Sequence, residues 1–96
     1  MLSQEFKEVI KLIGKSLKKN NVEWALIGST NMTIQGMNVN PRDLDIVVQL
    51  KDLERIDKIF SKYQPSKIKE LKPFIKEAAW EVKVIINNVE VQILGE

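Results

Sequence analysis

Neither cysteine nor histidine occurs in this chain of 96 residues, and the two absences together remove most of the familiar routes to chemistry. Without cysteine there is no disulfide framework and no thiolate nucleophile. Without histidine there is no Ser-His-Asp triad, no Cys-His pair and no ordinary zinc site. No apolar run approaches the roughly 20 residues needed to cross a bilayer. From Gln4 onward the N-terminal stretch mixes charged and apolar residues, unlike the apolar block of a signal peptide. The expectation is a cytoplasmic protein. A net charge of +2 is too small to argue nucleic-acid binding, although it would not repel a polyanion such as a nucleoside triphosphate. Any chemistry must therefore run on carboxylates, hydroxyls, amides, lysines and a metal.

With 44% hydrophobic and 29% charged residues, a chain of this length has room for one modest core, so a single domain over 1–96 is expected. No internal repeat, low-complexity tract or linker marks a boundary. From Ser3 to about Asn20, Phe6, Val9, Ile10, Ile13 and Leu17 recur at three- and four-residue steps, which predicts an amphipathic helix with Ser3 as N-cap and Asn20-Asn21 as stop. Val22 to Ile27 is short and continuously apolar and reads as a buried central strand. Gly28-Ser29-Thr30 then opens a short helix closed by Gly36, and Met37 to Pro41 forms a loop. Arg42 to Gln49 has the β-branched content of a strand. Lys51 to about Tyr63 returns to helical spacing, with Pro65 beyond its end. Lys67 to Lys76, interrupted by Pro73, reads as a short helix or irregular connection. Trp80 to Ile86 and Val89 to Leu94 alternate around Asn87-Asn88, a pair suited to the positive φ values of a hairpin turn. The expected fold class is α+β, a small mixed β-sheet with a C-terminal hairpin, flanked by helices.

Two short motifs carry the chemistry. At the end of a strand that turns into a helix, Gly28 allows close backbone approach, and the first helical turn presents unpaired N–H groups to which Ser29 adds a hydroxyl, so a phosphate can be held there. The plain alternative is a tight turn and a helix cap. Asp43 and Asp45 lie about 6.8 Å apart on an extended segment and point to the same face. Side by side they repel, and in an otherwise apolar strand they call for a compensating cation, for which Mg2+ is the most economical choice. The plain alternative is that Asp43 caps the turn after Pro41 and Asp45 sits at an exposed edge. The combination favours the functional reading, because both motifs belong to neighbouring strands that could present a phosphate cradle and a metal clamp to one triphosphate.

Leu26-Ile27-Gly28-Ser29, followed by Asp43-Leu44-Asp45-Ile46-Val47-Val48, resembles the signature of the polymerase-β-type nucleotidyltransferase superfamily over roughly residues 22–50. The resemblance implies that Gly28 and Ser29 contact the triphosphate and that Asp43 and Asp45 ligate Mg2+. It also implies a third carboxylate on a later strand that completes the metal site and helps activate the attacking hydroxyl. Glu90 and Gln92 share one face of the Val89–Leu94 segment, and either could stand opposite the aspartates. Glu90 would complete a set of three acids as catalytic residue and metal ligand. Gln92 would put an amide, which cannot serve as a base, in that place.

Thr30, Asn31 and Arg42 are further candidates for the nucleotide pocket, although an arginine beside two acids is also explained by a local ion pair. The lysines from Lys62 to Lys76 alternate with apolar and acidic residues, as a solvated face does; a nucleic-acid surface is the competing reading. Core packing accounts for Trp24 and Trp80. The expected activity is Mg2+-dependent transfer of a nucleoside monophosphate from a triphosphate to a hydroxyl acceptor. The alternative is a degenerate nucleotide-binding or antitoxin-like module that works beside a helical partner protein, and a third reading is a scaffold whose acids are incidental. The hairpin edge leaves room for a homodimer.

Overall fold

A computed structural model describes residues 3–27, 43–71 and 79–96. Helix α1 (Gln4–Lys19) starts where Ser3 turns its Oγ to accept the Phe6 N–H at 3.2 Å. It stops at Asn20, followed by Asn21 at φ 57, a left-handed residue that ends the helical ladder. Strands β1 (Trp24–Ile27) and β2 (Leu44–Val48) follow, then α2 (Leu50–Ile59), a single 3-10 turn (Ser61–Tyr63), and strands β3 (Lys69–Leu71), β4 (Ala79–Ile86) and β5 (Val89–Gly95). The turn ends at Gln64, φ 55, directly before Pro65.

The five strands form one sheet in the order β1-β2-β5-β4-β3. All neighbours run antiparallel except β2 and β5, which are parallel. Period-two alternation sends Leu44, Ile46 and Val48, and likewise Val89, Val91 and Ile93, to one face, where all are buried. Val9, Ile13 and Leu17 of α1 and Leu53 and Ile56 of α2 cover that face, with Phe60 beyond the end of α2, in a single apolar cluster. Both helices contact β5. The sheet therefore has an apolar face under the helices and a second face whose residues include Asp45, Glu81, Lys83, Glu90 and Gln92.

Two local devices fix the arrangement of the helices. Arg55 of α2 pairs with Asp52 at 3.2 Å and donates to the carbonyl of Asn20, tying α2 to the end of α1. Gly95 lets α2 approach β5 closely, since a Cβ there would lie 2.9 Å from Leu53 Cδ2 and 3.2 Å from Leu50 Cδ1.

Two sequence expectations are corrected. Among the described residues the Val22–Ile27 segment is an edge strand, not a central one, because there β1 pairs with β2 alone. Its four residues are half-buried or exposed, and its apolar run is explained by Trp24 and Leu26 packing on the core. Within Lys67–Lys76, Lys69–Leu71 is a strand paired with Leu71 opposite Ala79 and Lys69 opposite Glu81. Pairing with an available edge of β4 here overrides weak local periodicity. The short helix expected after Gly28, the loop to Pro41, and residues 72–78 lie outside the described residues.

Candidate active site

The acidic motif is placed by the middle of the sheet. Asp43 lies in the bend that leads into β2, and Asp45 follows on the face away from the helices. Asp45 has two register partners, Ile27 of β1 and Gln92 of β5. Across β5, Gln92 is opposite Lys83 of β4. A row Ile27–Asp45–Gln92–Lys83 thus crosses four strands on one face. The β2–β5 ladder begins at Leu44 opposite Val91, so Asp43 and Glu90 each stand one residue ahead of its first pair.

Gln92, not Glu90, is the side chain in register with Asp45. Glu90 is exposed on the same face, one alternation earlier. Both residues reach the aspartate side of the sheet, and the sequence alternatives resolve into two positions, Glu90 toward the Asp43 end and Gln92 beside Asp45. Among the described residues no three acids converge closely enough to hold a metal ion by themselves.

Asp45 carries the electrostatic signature of the site. Its pKa is raised above the ordinary value of 3.8, first by burial and then by the negative charges of Asp43, Glu90 and Glu81. Four acids therefore bear on one region of the sheet, an arrangement that a cation would relieve. The donor set fits Mg2+: hard carboxylate oxygens suit it, and it is commonly bound by one or two carboxylates with phosphate oxygens and water completing the octahedron. Asp43 and Asp45 are two carboxylates of that kind.

Glu81 is the site residue that sequence reading missed. It lies on β4 at 5% exposure, accepts a hydrogen bond from Gln92 Nε2, and has Lys83 Nζ at 3.8 Å. A signal existed: in Ala79–Ile86 the alternation puts Glu81 and Lys83 on the face opposite Val82, Val84 and Ile86. Which strand would neighbour β5 on the acidic side was not readable locally. Gly28, Ser29, Thr30, Asn31 and Arg42 lie outside the described residues. Ile27, the last described residue before them, is the register partner of Asp45. Trp24 and Trp80 pack against the core cluster, as expected. Among the described residues no helix is long and apolar enough to cross a membrane.

Among the described residues, a mixed five-stranded sheet backed by two helices, with Asp45 on β2 and Asp43 in the bend before it, makes a nucleotidyltransferase-like fold. The crystal structure of a proposed nucleotidyltransferase from Thermotoga maritima superposes on it with a TM-score of 0.78 and 26% sequence identity, over 99% of this chain. The chain spans 58% of the length of that structure. Neither a protein-family model nor a curated protein matches the sequence.

Proposed function

We propose that this chain is a Mg2+-dependent nucleotidyltransferase that moves a nucleoside monophosphate from a nucleoside triphosphate to a hydroxyl acceptor. The observation that carries the reading is Asp45, a carboxylate set on the middle of the sheet with Asp43, Glu90 and Glu81 all raising its proton affinity. The likeness to the Thermotoga protein supports the same class.

Asp43 and Asp45 would hold the cation. When bound, Mg2+ supplies charge neutralisation at the phosphates and favours in-line attack at the α-phosphorus, with pyrophosphate as leaving group. The chain's own residues orient and gate this step. Asp45 must be ionised to serve, and its burial disfavours the charged form. Glu90, exposed on the same face, would accept the acceptor's proton or add a further carboxylate to the cation. Gly28 and Ser29 are assigned to the triphosphate, and Thr30 and Arg42 to the same nucleotide. A protein partner that grips the acceptor belongs to this proposal.

A second reading is favoured by one observation: the position in register with Asp45 is occupied by an amide, Gln92. On this reading the chain binds nucleotide as a regulatory, antitoxin-like module beside a helical partner and does not catalyse transfer. Label transfer from α-labelled ATP or GTP with Mg2+, with and without the partner protein, separates the two. Nucleotide and Mg2+ titrations against Asp43→Asn and Asp45→Asn test the common ground. Unchanged binding in both variants removes the proposal altogether.

A further inference from the structure

Glu81 is buried yet belongs to the polar face. A carboxylate at 5% exposure is costly unless its oxygens are paired. Lys83 is its weaker partner, since its Nζ stands 3.8 Å away and its side chain is 53% exposed. The closer partner is the amide of Gln92, whose Nε2 donates to Glu81. A carboxylate can only accept, so it must receive the NH2 end of the amide and never the carbonyl end. The negative charge at position 81 therefore dictates which way round Gln92 sits. With Nε2 engaged by Glu81, the Oε1 of Gln92, on the other branch of the planar amide, is left for a different partner. Gln92 is flanked by β4 on one side and, through its register pair, by Asp45 on the other.

We infer that Glu81 is a positioning residue that holds Gln92 with its carbonyl oxygen available beside Asp45, as a neutral oxygen ligand for the cation assigned there. The inference rests on the proposed function. It gives the amide a use that a second carboxylate at the same position would not serve. Asp45 already has three acids bearing on it, and strands in a sheet lie only about 4.8 Å apart. A fourth negative charge directly in register would add to that repulsion, whereas an amide oxygen adds a hard donor without adding charge. Amide carbonyls are ordinary ligands of hard divalent cations.

The alternative is that Gln92 does no more than satisfy Glu81. Mn2+ alone, titrated against the full chain, distinguishes the two. Glu81→Gln keeps the size of the side chain but lets either end of the Gln92 amide face it, and Gln92→Leu removes the oxygen. Glu81→Gln is expected to weaken Mn2+ binding about tenfold, the scale of lost outer-shell support at metal sites; Gln92→Leu, which removes a ligand atom, should weaken it at least as much, and Glu81→Asp should restore part of the loss. In the wild-type protein, the Gln92 side-chain NH2 resonances should shift on addition of Mg2+, a readout that needs no variant to fold. A purely structural role lowers the melting temperature of these variants and leaves both the Mn2+ affinity and the NH2 resonances unmoved, and that result overturns the inference. If Asp43→Asn and Asp45→Asn abolish Mn2+ binding while Gln92→Leu does not, this inference alone fails. If none of the substitutions alters it, the proposed function fails with it.

Discussion

Asp45 has Ile27 of β1 as its antiparallel register partner, so one flank of this carboxylate is apolar and offers its charge no side-chain hydrogen bond. The pKa of Asp45 is raised first by burial and then by the charges of Asp43, Glu90 and Glu81. This shift ties stability to the site.

The sign of this linkage is fixed by proton binding. Between the ordinary value of 3.8 and the higher folded value, the folded state holds more protons at Asp45 than the unfolded chain. Stability therefore falls as pH rises through that window, and above it the penalty is complete. Asp45→Asn removes the penalty, so its melting temperature should exceed that of the wild type at pH 7. The difference should vanish below about pH 3, where both forms are neutral. Thermal unfolding at the two pH values checks this, and an equal gain at both would assign the effect to packing.

The same titration should govern cation binding. A protonated Asp45 is a poor ligand, so Mn2+ affinity is expected to decline on acidification from a pH above about 4, the range of an ordinary carboxylate. Calorimetric titrations across pH 4–7 would show it. A flat profile would mean that Asp45 does not hold the ion.

Packing of α2 on β5 makes a separate prediction. At Gly95 an added Cβ would press within 2.9 Å of Leu53 Cδ2, and Leu53 is itself buried at 1% exposure, with little room to give. Gly95→Ala should cost about 1–3 kcal/mol as an overpacked contact. The expected readout is a lower urea midpoint with an unchanged slope.

The β4–β5 turn is tested by its backbone. Asn87 and Asn88 have φ 49 and 67, which non-glycine residues adopt at a cost and which asparagine tolerates best. Asn88→Ala should lower stability by about 1 kcal/mol, while Asn88→Gly should be neutral or stabilising, as the Asn-Gly pair is the favoured form of such turns. Equal losses in both variants would point to a side-chain role for Asn88.

Much of the fold was legible because its signals are local. Ser3, the Asn20-Asn21 stop and Asn87-Asn88 each announce a cap or turn through the conformation that they tolerate. The alternation of Val89 to Leu94 settled which residues share a face with Glu90. Both errors arose where a distant partner decides. The apolar run of β1 resembled a central strand because Trp24 and Leu26 bury one side of an edge. Lys69–Leu71 became a strand only because β4 offers it a ladder. At the site, period two set Asp45 on the face opposite Leu44 and Ile46. The pairing of Asp45 with Gln92 depends on strand order and on the register of β2 with β5, which no short window of sequence encodes; the contact from Gln92 to Glu81 lies within the Asn87-Asn88 hairpin.

Strand order also bears on how the molecule reaches its native state. The β4–β5 hairpin closes over two residues and can form early, whereas the parallel union of β2 with β5 joins segments from opposite halves of the chain and must wait for a large loop to close. The ladder that seats Asp45 is then among the last contacts made. Substitutions in the hairpin such as Asn88→Ala should slow refolding, while Asp45→Asn should act chiefly on the unfolding rate.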